Sequence, residues 1–505
     1  MKKIIDSMLN RITMYRLVLY VLIAFVSIGF LYSALGIVAF SPLWYLASVA
    51  FILAISLITN WVFSRTFTAP TNVESVYITA LILALLITPA KGIADGVFFS
   101  LALWASIWSQ ASKYIFTIKR KHIFNPVAIG IAIPALFLAQ SASWWIGAGA
   151  FIPFVAIGGF LIVRKIKRND MVIAFLIAAL AILGLSHFMT PLSTMATALV
   201  SSPLIFFATV MLTEPFTTPP KVIDRIIYAI LVGLLFAPFI HIGSIYSTPE
   251  LALLVGNIYA YLASPKEKLF LKLKEKIRLT HDTYDFVFYA LNKPFLFRPG
   301  QYMEWTLPHG GGDSRGNRRY FTIASSPTEG TIRIGIKFNE RGSAFKRRLF
   351  SLAPGNMIVA GQRSGEFVLP RNRKKKLVFV AGGIGITPFR SMIKYLMDNN
   401  DSRDIVLLYT NKTAADIAYK ELFDAAAKRI GLNVIYTLTD EIPSDWQGEH
   451  GRISKEMVER RIPDYRERTF YISGPNALVE SFEKALRHDG IPHAHIKKDF
   501  FPGFA

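Results

Sequence analysis

The run Arg319-Tyr320-Phe321-Thr322-Ile323-Ala324-Ser325-Ser326-Pro327 puts a cation, two aromatics and a hydroxyl on one short segment that ends in a turn of small residues. That order suits a flavin. Arg319 faces phosphate, Tyr320 stands beside it, Phe321 lies against the ring system, and Thr322 hydrogen-bonds near the reactive nitrogen. A buried strand with a stray arginine has the same local pattern, so the neighbouring segments decide. Gly342-Ser343 precedes an apolar, basic helix and offers amides and a hydroxyl to a second phosphate. Gly382-Gly383-Ile384-Gly385-Ile386-Thr387-Pro388 follows the continuous apolar run Leu377–Val380 and opens a helix. Glycine lets a backbone approach a pyrophosphate, and the helix N-terminus favours its charge. Ser473-Gly474-Pro475 closes another apolar run, at the kind of strand end where ligands bind in doubly wound sheets.

These segments need two frames. From residue 266 to about residue 372, short alternating runs separated by turns predict a small antiparallel β-barrel that carries the flavin. From residue 373 to residue 505, apolar strands alternate with helices and predict an α/β nucleotide-binding domain. Residues 1–265 have a different texture. The 505-residue chain is 52% hydrophobic with a mean hydropathy of +0.39, and its apolar residues are concentrated before about Ala263. About ten apolar runs of helical length recur there, from Tyr15–Phe40 to Leu251–Leu262, which predicts a multi-span α-helical membrane domain.

Charge supports that expectation. Basic residues precede the first run and follow the second, fourth, sixth, eighth and tenth, whereas Ala139–Ser143, His187–Ser193 and His241–Glu250 carry neither Lys nor Arg. Only Lys91 breaks the alternation. The pattern predicts a multi-pass protein of the inner membrane with its N-terminus and C-terminal domains in the cytoplasm. A net charge of +22 then reads as positive-inside loops and a basic surface facing lipid and phosphate-bearing cofactors. No nucleic-acid-binding motif accompanies the charge, so no nucleic-acid partner is expected. Cysteine is absent, which removes disulfides, thiolate iron–sulfur ligation and Cys-based zinc sites. No metal site is expected.

Within the membrane half, Thr79–Pro89 echoes Phe207–Pro215: each is a short apolar run that ends near a Thr and a Pro. Five spans per half is an odd number, so the halves form an inverted repeat, and broken helices at matching positions frame a midplane site. Asn125-Pro126 opens a helix as an ordinary cap and also offers amides to an electron-rich ligand. Glu214, in Thr213-Glu214-Pro215, is a carboxylate at a helix end near the membrane, where it is either solvated or functional.

Ser75–Pro89, Lys113–Ala128 with Ile123-Phe124-Asn125-Pro126, and Thr209–Pro220 with Glu214-Pro215 resemble the flavin-carrying membrane components of two bacterial complexes. These complexes are the sodium-pumping NADH:quinone oxidoreductase and the Rnf electron-transport complex. The resemblance implies a flavin site at Asn125 and Glu214. Family members attach FMN through the Thr of a Ser-Gly-Ala-Thr sequence, but this chain has Ala139-Gln140-Ser141-Ala142-Ser143-Trp144 there, and Thr194–Thr197 is only a degraded match in another loop. The implied membrane flavin is therefore a non-covalent FMN or riboflavin. The second half resembles the ferredoxin–NADP reductase superfamily across nearly all its length. The carriers are the Arg319–Thr322 motif, Gly342-Ser343, Gly382–Pro388, Ser473-Gly474-Pro475 with Ser in place of the family's Cys, and the acidic-aromatic Asp499-Phe500. The resemblance implies FAD, NADH or NADPH, and catalytic roles for Thr322, Ser473 and Phe500.

Together these readings give a membrane-bound oxidoreductase in which hydride passes from NAD(P)H to FAD. Electrons then enter or cross the membrane to a second flavin, a quinone, an external acceptor or a partner redox protein. A haem-linked ferric reductase or NADPH-oxidase-like enzyme needs paired intrahelical histidines. A transporter with a redox-sensing flavin domain needs a chain of membrane carboxylates.

Overall fold

The computed structural model describes residue 9 and residues 12–67, 73–118, 121–147, 149–186, 190–243, 245–264, 268–291, 295–307, 318–338, 342–440 and 443–499. It divides into one compact unit within Met1–Lys266 and a second within Glu267–Phe501.

The first unit is helical. Its helices are α1 (Met14–Ala34), α2 (Pro42–Thr66), α3 (Val73–Leu86), α4 (Gly96–Ile115), α5 (Pro126–Leu138), α6 (Ile152–Ile166), α7 (Asn169–Ser186), α8 (Pro191–Ser201), α9 (Leu204–Met211), α10 (Val222–Leu235) and α11 (Pro249–Ala263). Polar caps start several of them. Asp95 accepts from Phe98 N at 3.1 Å, Thr248 accepts from Leu251 N at 3.3 Å, and Pro occupies the first turn of α2, α5, α8 and α11.

The expectation of about ten spans is corrected here. By length and composition, three helices among the described residues can cross a membrane: Met14–Ala34, Pro42–Thr66 and Gly149–Ile166. The bent pair α8–α9 makes a fourth if it is one span. The other apolar runs fold as shorter helices. At about 1.5 Å per residue, the 14 residues of α3 reach about 21 Å, against about 30 Å of hydrocarbon. Pro203 separates α8 from α9, which meet at a bend of 70°. In α4 the buried face carries Ser106, Ser109, Gln110 and Ser112, which lowers its hydropathy.

Packing order recurs along this unit. α1 lies on α3, α2 on α4 and α4 on α5; further along, α6 lies on α9, α7 on α10 and α10 on α11. Corresponding helices also meet each other, α1 with α6 and α5 with α11. Glycine permits the closest of these approaches. A Cβ on Gly130 would stand 2.6 Å from Ala105 O, and one on Gly256 would stand 2.3 Å from Val232 Cγ2.

The second unit has two sheets. The first comprises β1 (Lys268–Arg278), β2 (Thr283–Ala290), β3 (Tyr302–Thr306), β4 (Arg318–Thr322), β5 (Ile332–Lys337) and β6 (Met357–Ser364). It is antiparallel throughout, in the order β4-β3-β6-β1-β2-β5. Past the end of β4, Ala324 N donates to Arg333 O of β5 at 2.8 Å and joins the two outer strands of that order. Alternation puts Leu271, Leu273, Phe286, Phe288, Met303 and Trp305 inside, where α12 (Ala344–Phe350) adds Phe345 and Leu349.

In the second sheet β7 (Leu377–Gly382), β8 (Ile405–Asn411), β9 (Asn433–Leu438), β10 (Glu449–His450), β11 (Thr469–Ser473) and β12 (Ile496–Lys498) run parallel in the order β10-β9-β8-β7-β11-β12. Every residue of β7 is buried, because helices cover both faces. Phe379 stacks at 4.7 Å on Phe389 of α13 (Thr387–Asp398), while Val378 and Val380 join Met457 and Phe482 on the other face. The order changes direction at β7, with β8 on one side and β11 on the other, which opens a crevice at the carboxyl ends of those strands.

Candidate functional site

That crevice is built from glycine. Ala381 and Ser473 are partners in the β7–β11 ladder, so Gly382 and Gly474 leave the sheet side by side. A Cβ on Gly385 would come within 2.5 Å of both Gly474 Cα and Ser473 O, so no other residue fits without moving backbone. Gly383 has φ +51°, and a Cβ there would meet open space. The turn therefore presents bare backbone at its mouth and closes tightly behind, ahead of the 12-residue α13 whose first residues are Thr387 and Pro388. These residues fit a dinucleotide pyrophosphate. Pro475 caps the next helix, Asn476–His488.

On the barrel, the pleat of β4 places Arg319 and Phe321 on one side and Tyr320 and Thr322 on the other. Arg319 lies 5.4 Å over the Phe345 ring, and Phe321 sits 5.9 Å from the same ring. Phe345 follows Gly342-Ser343, where Ser343 Oγ accepts from Lys346 N at 3.3 Å and caps α12. Tyr320 meets Tyr302 edge-on at 5.5 Å and donates to Glu304 Oε2 at 3.2 Å.

Thr322 leads to the chemistry. Its Oγ1 donates to Asp499 Oδ2 at 3.5 Å, and Ser473 Oγ donates to the same oxygen at 3.2 Å. Three residues far apart in the chain, from the barrel strand, the end of β11 and the segment after β12, therefore meet at one carboxylate. Asp499 keeps part of its surface open, but its carboxylate lies within the protein, and burial pushes it up to about 7 against the pull of the two hydroxyls. An acid in that range holds or releases a proton near neutral pH. Reading from the sequence paired Asp499 with Phe500 and placed the catalytic role on the aromatic. Phe500 lies outside the described residues, and the acid is the group that Thr322 and Ser473 touch.

In the first unit, Asn125 and Glu214 are joined through Asn257. Asn125 Oδ1 accepts from Val127 N and Ala128 N at 3.0 and 3.1 Å, Asn125 N donates to Asn257 Oδ1 at 2.7 Å, and Asn125 Nδ2 donates to Met211 O at 3.4 Å. Asn257 Nδ2 reaches Thr217 O, and Thr217 Oγ1 donates to Glu214 Oε2 at 3.2 Å. His122 Nε2 faces Glu214 Oε1 at 3.6 Å. Nearby, Lys113 Nζ donates to Ser75 O, Ser75 Oγ and Thr79 Oγ1 at 2.9–3.1 Å. Asn125 thus caps α5 and ties it to α9 and α11, and its polar atoms are spent on protein. Sequence reasoning did not single out Asn257, which carries no local signal beyond being an amide in an apolar helix.

An antiparallel flavin-type barrel, a parallel dinucleotide-type sheet and a shared acid–hydroxyl centre define a two-domain flavin reductase. Comparison with known sequences agrees. Residues 379–484 match the oxidoreductase NAD-binding domain. NADH-cytochrome b5 reductase 1 of Dictyostelium discoideum is 30% identical over 236 residues, covering 46% of this chain and 82% of that protein. The glycine betaine monooxygenase reductase subunit of Chromohalobacter salexigens is 27% identical over 231 residues, and the match spans 45% of this chain but only 62% of that relative. Among solved structures, the Amycolatopsis cytochrome P450 reductase GcoB aligns with a TM-score of 0.42 at 24% identity, over 46% of this chain and 70% of that one. The chain belongs to this family of NAD(P)H-dependent FAD reductases.

Proposed function

We propose that the chain is a membrane-bound NAD(P)H-dependent flavoprotein oxidoreductase that feeds electrons into or across the membrane. The observation that carries this reading is the meeting of Thr322, Ser473 and Asp499 at the mouth of the glycine crevice, in a chain whose first half is apolar helices. A bound FAD would supply the two-electron-to-one-electron chemistry that links a nicotinamide donor to a later acceptor. The chain's own residues supply placement and proton control. Arg319 and Ser343 would hold the flavin phosphates and Phe321 would flank its ring. Gly382, Gly383, Gly385 and the start of α13 receive the dinucleotide pyrophosphate, and Gly474-Pro475 bounds the nicotinamide side. Asp499, held by Thr322 and Ser473, keeps a proton beside the reacting atoms. In this reading residues 1–265 are the membrane domain, residues 266–372 bind FAD and residues 373–505 bind NAD(P)H.

In the first unit, the matching packing order and the pairing of α1 with α6 and of α5 with α11 support an internal repeat. That repeat and the resemblance to the membrane components of the two bacterial complexes together support a multi-pass domain of the inner membrane, and a count of four spans, with the bent pair α8–α9 as one, leaves both ends cytoplasmic. A non-covalent FMN or riboflavin would lie between the halves near Glu214. The acceptor is then a quinone, an external acceptor or a partner redox protein; the relative named as a glycine betaine monooxygenase reductase subunit favours the last of these. A haem-linked reading finds less support. Among the described residues of this unit, His122 and His241 lie in two-residue strands outside the helices, with Glu214 and Gly243 O beside them.

Flavin stoichiometry of the purified, detergent-solubilised chain tests the proposal. Two releasable flavins per chain, one FAD and one FMN or riboflavin, are expected. A single releasable FAD would remove the relay through the first unit, and no FAD would remove the reductase reading.

A further inference from the structure

The Gly382–Pro388 loop and the Thr322 strand end are locked together by a buried polar seam that sequence motifs do not reveal. It begins one turn into α13. Arg390 donates through two nitrogens to the two oxygens of Glu329, with Nη2 to Oε1 at 2.8 Å, and Arg390 Nη1 also donates to Ala324 O at 3.0 Å. The next residue, Ser391, donates to Ser325 O at 2.6 Å. Ala324 and Ser325 follow Thr322 by two and three residues, and Arg390 and Ser391 follow Thr387 by three and four. The helix that opens at the dinucleotide loop is therefore fixed to the segment that closes the flavin strand.

Further contacts extend the seam. The Arg390 guanidinium lies 5.6 Å over the Tyr419 ring, and the Tyr419 hydroxyl donates to Asp285 Oδ1 of β2. Arg333 stands between Glu329 and Asp285, 3.5 Å from each. Two arginines and two carboxylates are thereby balanced, and the Arg390 and Glu329 side chains are only 6% and 11% exposed. Tyr419 has φ +58°, a left-handed backbone that a tyrosine adopts only where its surroundings impose it. Opposite Asp285 in the ladder is Gly335, where a Cβ would stand 2.5 Å from Tyr419 Oη and 2.8 Å from Thr387 Cγ2. The seam closes over a position with no room for one carbon.

We propose that Arg390 is a positioning residue for hydride transfer: by gripping Glu329 and Ala324 O, it sets how a dinucleotide whose pyrophosphate is received at Gly382–Thr387 would meet a flavin received at Arg319–Thr322. It touches neither ligand. The proposal rests on the NAD(P)H-to-FAD reading above. A two-pronged guanidinium–carboxylate grip fixes direction as well as distance, whereas a lysine at the same place keeps the charge and loses the fork. Misplacement of reacting atoms by about 1 Å costs about 100-fold in rate.

The test uses the full chain in detergent, as the parent, Arg390→Lys and Gly335→Ala. Bound FAD and the Kd for NADH are measured first, then the anaerobic rate of flavin reduction, and then the long-wavelength charge-transfer absorbance of the reduced protein with NAD⁺. Amide exchange across Thr387–Asp398 is followed in flavin-free protein. Both variants are expected to keep parental FAD content and NADH affinity, to reduce flavin about 10- to 100-fold more slowly, to lose the charge-transfer absorbance, and to exchange faster in α13. Parental rate and absorbance in both variants would overturn the proposal, as would a rate that falls only in step with lost FAD. Absence of FAD from the parent would overturn the reductase reading and this proposal with it.

Discussion

Asp499 Oδ2 lies 3.2 Å from Ser473 Oγ, so the serine that ends β11 and the acid near the end of the described chain act on each other directly. The Ser473 hydroxyl lowers the pKa of an acid that burial has raised to about 7. Ser473→Ala removes that donor. The pH profile of flavin reduction in this variant should therefore move to higher pH than in the parent, with a rate lower by about 10-fold. Rate measured from pH 5 to pH 9 checks it; an unmoved profile would mean that Asp499 is not the titrating group.

The same shift has a stability consequence with a fixed sign. Asp499 binds its proton more tightly folded than unfolded, so its contribution is fully present below the ordinary carboxylate range and is lost as pH rises through about 7. Asp499→Asn cannot ionise and escapes that loss. Relative to the parent, the variant should melt higher at pH 8 than at pH 5. A melting-temperature difference that does not change between those two pH values would contradict the shift.

The two central glycines of the dinucleotide loop should respond differently to alanine. At Gly385 a Cβ strikes backbone at 2.5 Å, so Gly385→Ala has to displace the Gly474 turn. It is expected to cost about 1–3 kcal/mol of stability and to weaken NADH binding by at least 10-fold. At Gly383 nothing obstructs the Cβ, and only the left-handed backbone resists. Gly383→Ala should cost about 1 kcal/mol. Thermal unfolding and NADH titration of both variants separate the two cases.

Legibility in the sequence followed locality. Gly382–Pro388 follows a strand and Arg319–Thr322 forms most of one, so each stood out as a contiguous motif, and the two sheets that carry them were legible from alternating runs in the first and from apolar strands interleaved with helices in the second. The seam was not legible. Asp285, Glu329, Arg390 and Tyr419 are spread over more than a hundred residues, and each alone looks like an ordinary charged or aromatic side chain. The helix count failed for another reason: apolar runs report burial as readily as they report a bilayer. α3 is buried along most of its length inside its own unit, and its hydrophobicity serves that packing at a length of 14 residues.

Asn257 gives the last prediction, in the first unit. It is fully buried, accepts from Asn125 N at 2.7 Å, and donates weakly to Thr217 O and Tyr228 Oη at 3.4 Å. One amide thus ties the start of α5 to the Glu214 turn and to α10. Asn257→Leu keeps the volume and removes every one of those bonds, which leaves the Asn125 amide hydrogen buried without its acceptor. A stranded buried donor costs about 1–3 kcal/mol. The variant should therefore lose several degrees of thermal stability in detergent, while the FAD and NADH sites of the second unit stay at parental affinity. If a second flavin occupies the space near Glu214, its content should fall in the variant and FAD content should not. Equal loss of both flavins would show that Asn257 supports the fold as a whole and has no local role at that cluster.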